Sequence, residues 1–415
     1  MPTPTRVASA RALAGFLFLL LTMTSLGYAQ AQERIIHYFN GKDGAEPLTG
    51  VVMDKNGNLY GACPLGGDHS GGTVYMLSPG ANGQWTRKVL YNFMSNPKDA
   101  DEPIGGVILD SEGNLYGTTA NGGMYGYGTV YVLMPTAKGP WREKILYNFN
   151  GTDGGFPETS LVFDAKGNLY GTTTGAFGAG VAFELTPDAH GNWTEKILHI
   201  FGSGQDGFEP SSPLIFDQHG DLYGTTFFGG TGRCAGSGCG TVFELIRGTK
   251  GQWTEKVLHN FNGRDGEGAD GRLLFDKAGN LYGTTVQRGA HCCGTVFELM
   301  PQPDGTWAVT ILHNGSHRDG GGSQGGLTSD EQGNLYATGY QGTYGHGSVF
   351  ELIRESETSW IEKLLYSFNP NTGTDGLYPV SVHLIFDKAG HLYGTTQVSG
   401  TDNRLGPGTV FEITP

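Results

Sequence analysis

Short runs in which apolar and polar residues alternate fill the chain, and none shows the three-to-four-residue recurrence of an amphipathic helix. In one stretch they read "RLLF" (272–275), "NLYGTT" (280–285), "TVFEL" (295–299) and "WAVTILHN" (307–314), rich in β-branched and aromatic types and short enough to be strands. Between the first two stands Asp276-Lys277-Ala278-Gly279, a hairpin loop in which the aspartate caps the turn and the glycine supplies the left-handed residue. Equivalent aspartates stand at Asp54, Asp110, Asp164, Asp217, Asp330 and Asp387. A residue that returns at every turn has a structural reason at every turn, and one carboxylate per turn is far short of the ~6–8 oxygens that Ca²⁺ takes.

The whole pattern repeats. The pair Leu-Tyr returns at Tyr60, Tyr116, Tyr170, Tyr223, Tyr282, Tyr336 and Tyr393, at intervals of 53 to 59 residues. "GTVFEL" or a close variant ends at Leu77, Leu133, Leu185, Leu245, Leu299, Leu352 and Ile413. A third phrase, "WTEKVLYNF" in its fullest form, is built on Trp85, Trp141, Trp193, Trp253, Trp307 and Trp360, with its seventh copy displaced to the start of the chain as "ERIIHYF" (33–39). Seven four-stranded units without helices predict an all-β, seven-bladed β-propeller of antiparallel blades. The displaced strand, 34–39, is expected to complete a last blade made of 381–386, 391–396 and 409–413, so that the chain ends interlock and no edge is left open. An open solenoid would gain nothing from dividing one repeat between its ends.

These phrases resemble the Gloeo/Verruco (GloVer) tandem repeats, choice-of-anchor type exported bacterial proteins, over residues 33–415: "GNLYGTT", a glycine-rich gap, "GTVFEL", then a tryptophan before "EKVLYNF" and "DG". The resemblance implies an exported repeat protein, often joined to a surface anchor, and implies no established activity. No cysteine follows the leader to take a lipid and no sorting tail follows "GTVFEITP", so release after export, secreted or periplasmic, is expected.

Composition narrows the class. With 71 glycines in 415 residues, 37% hydrophobic and 16% charged, the chain is too glycine-rich for a helical enzyme and too apolar for a disordered one. Residues 1–31 carry Arg6 and Arg11, an apolar run from Ala12 to Leu21 and the small-residue pattern Ala29-Gln30-Ala31, which reads as a signal peptide ahead of a single propeller domain, 32–415. The run falls short of the ~20 residues of a membrane span. Loss of the leader removes two arginines and no acid, taking the net charge from −14 to −16. Nucleic acid is thereby an unsuitable partner, and a monomer is expected.

Shared residues serve the shared blade, so chemistry is sought where the repeats differ. The loops joining the second and third strands, and those leading from blade to blade, lie on one face of a propeller. They carry His69, Tyr125, Tyr127, His291, Tyr344 and His346, with Asp43, Asp153, Asp206, Asp265, Asp319 and Asp375 as an acidic ring. The aspartates read first as Asp-Gly turns between blades and second as a rim for a cation such as calcium or a polar ligand. Tyrosine and histidine on glycine-rich loops suit sugar or peptide recognition. Of five cysteines, Cys234 and Cys239 close a small loop and are the expected disulfide; Cys292 and Cys293 are open to a vicinal bridge, a cross-loop pairing or free thiols, with Cys63 left over. A zinc site from these thiols with His291 matches no familiar ligand spacing. No catalytic motif stands out: His37, His199, His259 and His313 share a fourth-strand position with Tyr91, Tyr147 and Tyr366 and read as packing. The functional expectation is an exported scaffold, without cofactor, that binds a glycan, peptide or protein through the variable loop face. The alternative is a polysaccharide hydrolase or lyase at the channel mouth.

Overall fold

The computed structural model describes residues 31–415 except 97, 176–177, 203–204, 235, 319, 324, 357–358, 380–382 and 402–403, and Ala31–Pro415 form one compact unit. The expected leader lies outside the described residues, Ala31 excepted.

Seven antiparallel blades of four strands each form a seven-bladed β-propeller, with no α-helix among the described residues. Blade 5 is representative: from the axis outward it runs Leu274–Phe275, Leu281–Gln287, Thr295–Pro301 and Trp307–Asn314. Its inner strand is shorter than expected. Arg272 and Leu273 precede it as a lead-in outside the ladder, and beyond Tyr282 the second strand pairs next with Glu267–Ala269. In the last blade Gln32–Tyr38 pairs antiparallel with Thr409–Thr414, Gln32 opposite Thr414 and Tyr38 opposite Thr409, and so closes the ring.

The hairpin at Asp276 shows why its letters recur. The Asp276 Oδ1 accepts the amides of Ala278 (2.8 Å) and Asn280 (2.9 Å), its Oδ2 accepts the Asn280 side chain (2.9 Å), and Gly279 takes φ +87°. Tyr282 then reaches back to the same carboxylate at 3.2 Å and donates to Glu298 on the third strand at 2.6 Å. The following Gly283 faces Phe297 across the ladder, where a Cβ would lie 2.4 Å from the ring. Only glycine admits the aromatic there.

That aromatic also receives the neighbouring blade. Phe261, just past the outer strand of blade 4, meets Phe297 of blade 5 edge-on at 5.2 Å; Phe39–Tyr75, Phe93–Tyr131, Phe149–Phe183, Phe201–Phe243 and Phe368–Phe411 repeat the contact around the ring. Between blades 5 and 6 the position is Gly315, and the His313 ring approaches Phe350 at 6.0 Å instead. Every outer strand carries a bulge against the third strand, as between Val296/Phe297 and their partners His313/Ile311. The bulge is what lets adjacent apolar residues such as Val257 and Leu258 both find cover, which strict alternation forbids. At the inner end, Thr284 Oγ1 donates to Gly325 O of the next blade (3.2 Å), and Thr118, Thr225 and Thr395 do the same to Thr159, Ala269 and Thr49 (3.1, 3.0 and 2.8 Å). These bonds fix the segments that line the axis.

Two outcomes follow for stability. Tyr282, 2% exposed, loses its ring and two hydrogen bonds in Tyr282→Ala, which should cost ~3–5 kcal/mol; Tyr344→Ala, at a site 48% exposed, should stay within about 0.5 kcal/mol. Denaturant melts of the two variants compare them directly, and the reverse ranking would contradict the packing described. Deleting 32–38 should lower the melting temperature far more than removing an equal length of exposed loop, as differential scanning calorimetry would register.

Candidate functional site

The loop residues singled out from sequence are spread around the ring. His69 is exposed on blade 1. Tyr125 and Tyr127 are exposed on blade 2, where Tyr127 stands 5.7 Å from Phe156. Blade 5 displays His291. On blade 6, Tyr344 is exposed, while the half-buried His346 bonds the Tyr378 hydroxyl through Nδ1 at 2.6 Å, and Tyr378 stacks on Tyr340 at 5.2 Å. Two small aromatic patches result, one over blades 2 and 3 and one over blades 6 and 7.

The described aspartates lie at the seams between blades, and none of them lines the axial cavity. Each caps its loop and bonds the fourth-strand His or Tyr of the blade before it: His37 to Asp43 (3.1 Å), Tyr147 to Asp153 (2.7 Å), His199 to Asp206 (3.0 Å), His259 to Asp265 (3.0 Å) and Tyr366 to Asp375 (2.9 Å). Asp99, which the sequence reading left out, fills the same place beside Tyr91 (3.4 Å); Asp319 lies outside the described residues. At several seams a fourth-strand glutamate comes up against this aspartate. Burial, then the neighbouring Asp375 and Asp99, pushes Glu33 and Glu143 up to about 8; burial, then Asp153 and Asp206, pushes Glu195 and Glu255 up to about 7. Burial and the like charge beside them hold these carboxyls towards the protonated form. His199, Asp206 and Glu255 place three donor atoms within 4.8 Å of one another, fewer than a calcium ion requires.

Cys234 is bridged to Cys239 and Cys292 to Cys293, while Cys63 is a free, buried thiol that burial raises well above its ordinary value. The vicinal pair occupies the sulfurs that a zinc site would need, and the imidazole beside it is His317, 3.7 Å from the Cys293 sulfur.

The side chains that do converge are at the axis. A cavity of about 390 Å³ is lined by the lead-in segments of all seven blades, within the ~300–1,000 Å³ of small-molecule sites. Much of its wall is apolar, from Leu48, Ile104, Val107 and Leu161; its ionisable groups are Glu158, Asp270, Arg272 and His383. Burial pushes Asp270 up to about 7 against the opposing Ser211 hydroxyl, with Glu158 adding to the rise. Glu158 is itself raised by burial, then by Glu209 and Glu102. His383 is pushed down to about 3 by burial and by Arg272, so its imidazole is neutral.

The Gloeobacter/Verrucomicrobia repeat matches residues 20–234 and 173–411, which together span nearly the whole chain. The protein belongs to this repeat family. No curated protein sequence matches it. Solved structures of similar shape include a putative oxidoreductase (glucose dehydrogenase) from Thermus thermophilus (15% identity, 74% of this chain and 95% of that one, TM-score 0.42). Others are a protein of unknown function from Dyadobacter fermentans (11%, 93% and 98%, 0.45) and a luciferin-regenerating enzyme (14%, 93% and 95%, 0.42). Likenesses this distant carry no argument about activity.

In the family's repeat, the axial residues are found by counting back from each turn aspartate. Four before it stand Gly50, Gly106, Ser160, Pro213, Arg272, Gly326 and His383; six before it stand Leu48, Ile104, Glu158, Ser211 and Asp270 in the first five blades. Arg272 and His383 break a run of small residues and proline, and that break is the signal which attention to the loops passed over.

The seam glutamates set a pH dependence. A carboxyl whose pKa rises on folding holds its proton more tightly in the folded chain, so its stabilisation is present below the ordinary value of 4.5 and is lost as pH climbs towards 8. Asp43, Asp54, Asp164 and Asp387 act oppositely. Burial works against their charge, but their hydrogen bonds together outweigh it and hold them below 3.8, and the stability they give is lost only in stronger acid. The melting temperature should therefore peak near pH 4–5 and fall between pH 5 and 8, with a shallower fall in Glu143→Gln. A rise over that interval would contradict the seam chemistry.

Proposed function

We propose that this repeat protein binds a small polyhydroxylated ligand, the end of a sugar or short glycan, in the central channel from the variable-loop face, and does so after export, as a secreted or periplasmic protein. The observation that carries this reading is the gathering of Glu158, Asp270, Arg272 and His383 at positions where other blades place glycine, serine, proline or apolar residues, around a cavity of ligand size. Carboxyls and hydroxyls that accept and donate around a partly apolar wall match the alternating hydroxyl and C–H surfaces of a pyranose. The two aromatic patches on the loop face, at Tyr125/Tyr127 and Tyr340/Tyr344, offer further contact to a longer chain or a partner protein.

One observation favours a second reading, turnover of a polysaccharide by a hydrolase or lyase. Asp270, held up to about 7 beside Glu158, keeps its proton near neutrality, as a general acid must. A glycan array paired with a polysaccharide-turnover screen separates the two. Binding without product, weakened at least about tenfold by Asp270→Asn, supports the binding protein. Product release abolished by the same change supports the enzyme. If neither signal responds to Asp270→Asn, the channel is not the site.

A further inference from the structure

We infer that the ligand taken by the channel bears a carboxylate that seats on Arg272, which makes an acidic sugar of the uronic acid type the class recognised. This rests on the channel reading above and narrows it.

Arg272 is the arginine of the channel wall. Arg34, Arg87 and Arg288 are each paired with a carboxylate, Glu412, Asp43 and Glu267, and Arg247 and Arg354 lie over Trp253 and Trp360. Arg272 lines the cavity and forms neither a hydrogen bond nor an ion pair among the described residues. Arg272 is exposed to the open channel even as the surrounding wall lowers its pKa, so its guanidinium is reachable from solvent and has no counter-charge in the protein. An arriving carboxylate can take the place of water on it.

The surroundings specify which anion. His383, which shares the cavity with Arg272, is neutral, so the wall offers one planar fork and no second cation. One guanidinium matches the two oxygens of a carboxylate. A phosphate dianion would lack a second positive partner. An α-amino acid would need an ionised carboxylate for its ammonium group, while burial pushes Asp270 up to about 7, which suits it to hydroxyls at pH 6. The Thr49 hydroxyl, buried on the cavity wall without a partner among the described residues, adds another hydroxyl contact. The apolar wall at Leu48, Ile104 and Val107 suits a ring's C–H face.

The test is isothermal titration of the purified protein at pH 6 with D-galacturonate and D-glucuronate against D-galactose and D-glucose, repeated with Arg272→Gln and Arg272→Lys. The acids should bind at least about tenfold more tightly than the neutral sugars. R272Q should bring the two sets to parity, and R272K should keep part of the preference. Thermal melts confirm that both variants fold. Equal binding of acid and neutral sugars to the parent protein overturns this inference and leaves the channel reading standing. Preference retained in R272Q overturns it too, since the anion would then sit elsewhere. Failure of every probe to bind overturns both.

Discussion

The whole ring depends on one packing event, an aromatic side chain from the end of one blade lying edge-on against an aromatic on the third strand of the next. Phe261 on Phe297 is one instance, and it is made possible by Gly283, which clears the space beneath the ring. A four-stranded blade has two faces and cannot cover either alone. Six of the seven blades lend the next blade a phenylalanine, and tryptophans return the contact at several seams, as Tyr282 of blade 5 receives Trp360 of blade 6. Edge-to-face pairs add ~0.5–1.5 kcal/mol beyond the area they bury. Their larger effect is geometric, since the same contact made around the circle fixes the angle between sheets and with it the width of the axis.

The fold was legible because the phrases that make a blade return, with few exceptions, in repeat after repeat. The turn aspartate, Leu-Tyr-Gly, the third-strand aromatic and the tryptophan each hold one contact, and the split seventh repeat announced its own closure. Even the bulge left a trace in doublets such as Val257-Leu258, although strict alternation gives no rule for reading them. The inner strands were overestimated because alternation continues into lead-ins like Arg272-Leu273, which stand outside the ladder to the second strand.

The candidate site was much less legible, and rotational geometry explains why. Equivalent loop positions on seven blades are carried apart around the rim, so His69, Tyr127, His291 and Tyr344 share a face without sharing a site. Only residues close to the axis are brought together by the same rotation. Finding them requires knowing which side chains of the lead-in point inward, a matter of register that composition does not reveal. The aspartates misled for a related reason: a carboxylate in every repeat looks like a ring of charge, whereas each is absorbed into its own seam by a His or Tyr from the blade before.

The pairing of Gln32–Tyr38 with Thr409–Thr414 also governs the order in which the molecule can assemble. The first strand to leave the ribosome belongs to the last blade, and its partner is the last to appear. Six blades can form from contacts local to each repeat, but the seventh must wait for both ends to meet across nearly the full length of the chain, a loop whose closure is entropically unfavourable and slow. Until then the incomplete arc exposes a sheet face at each end, where another copy of the arc can dock. Closure thus removes two open sheet faces in one step, and a chain in which the ends have not met presents both of them to other copies.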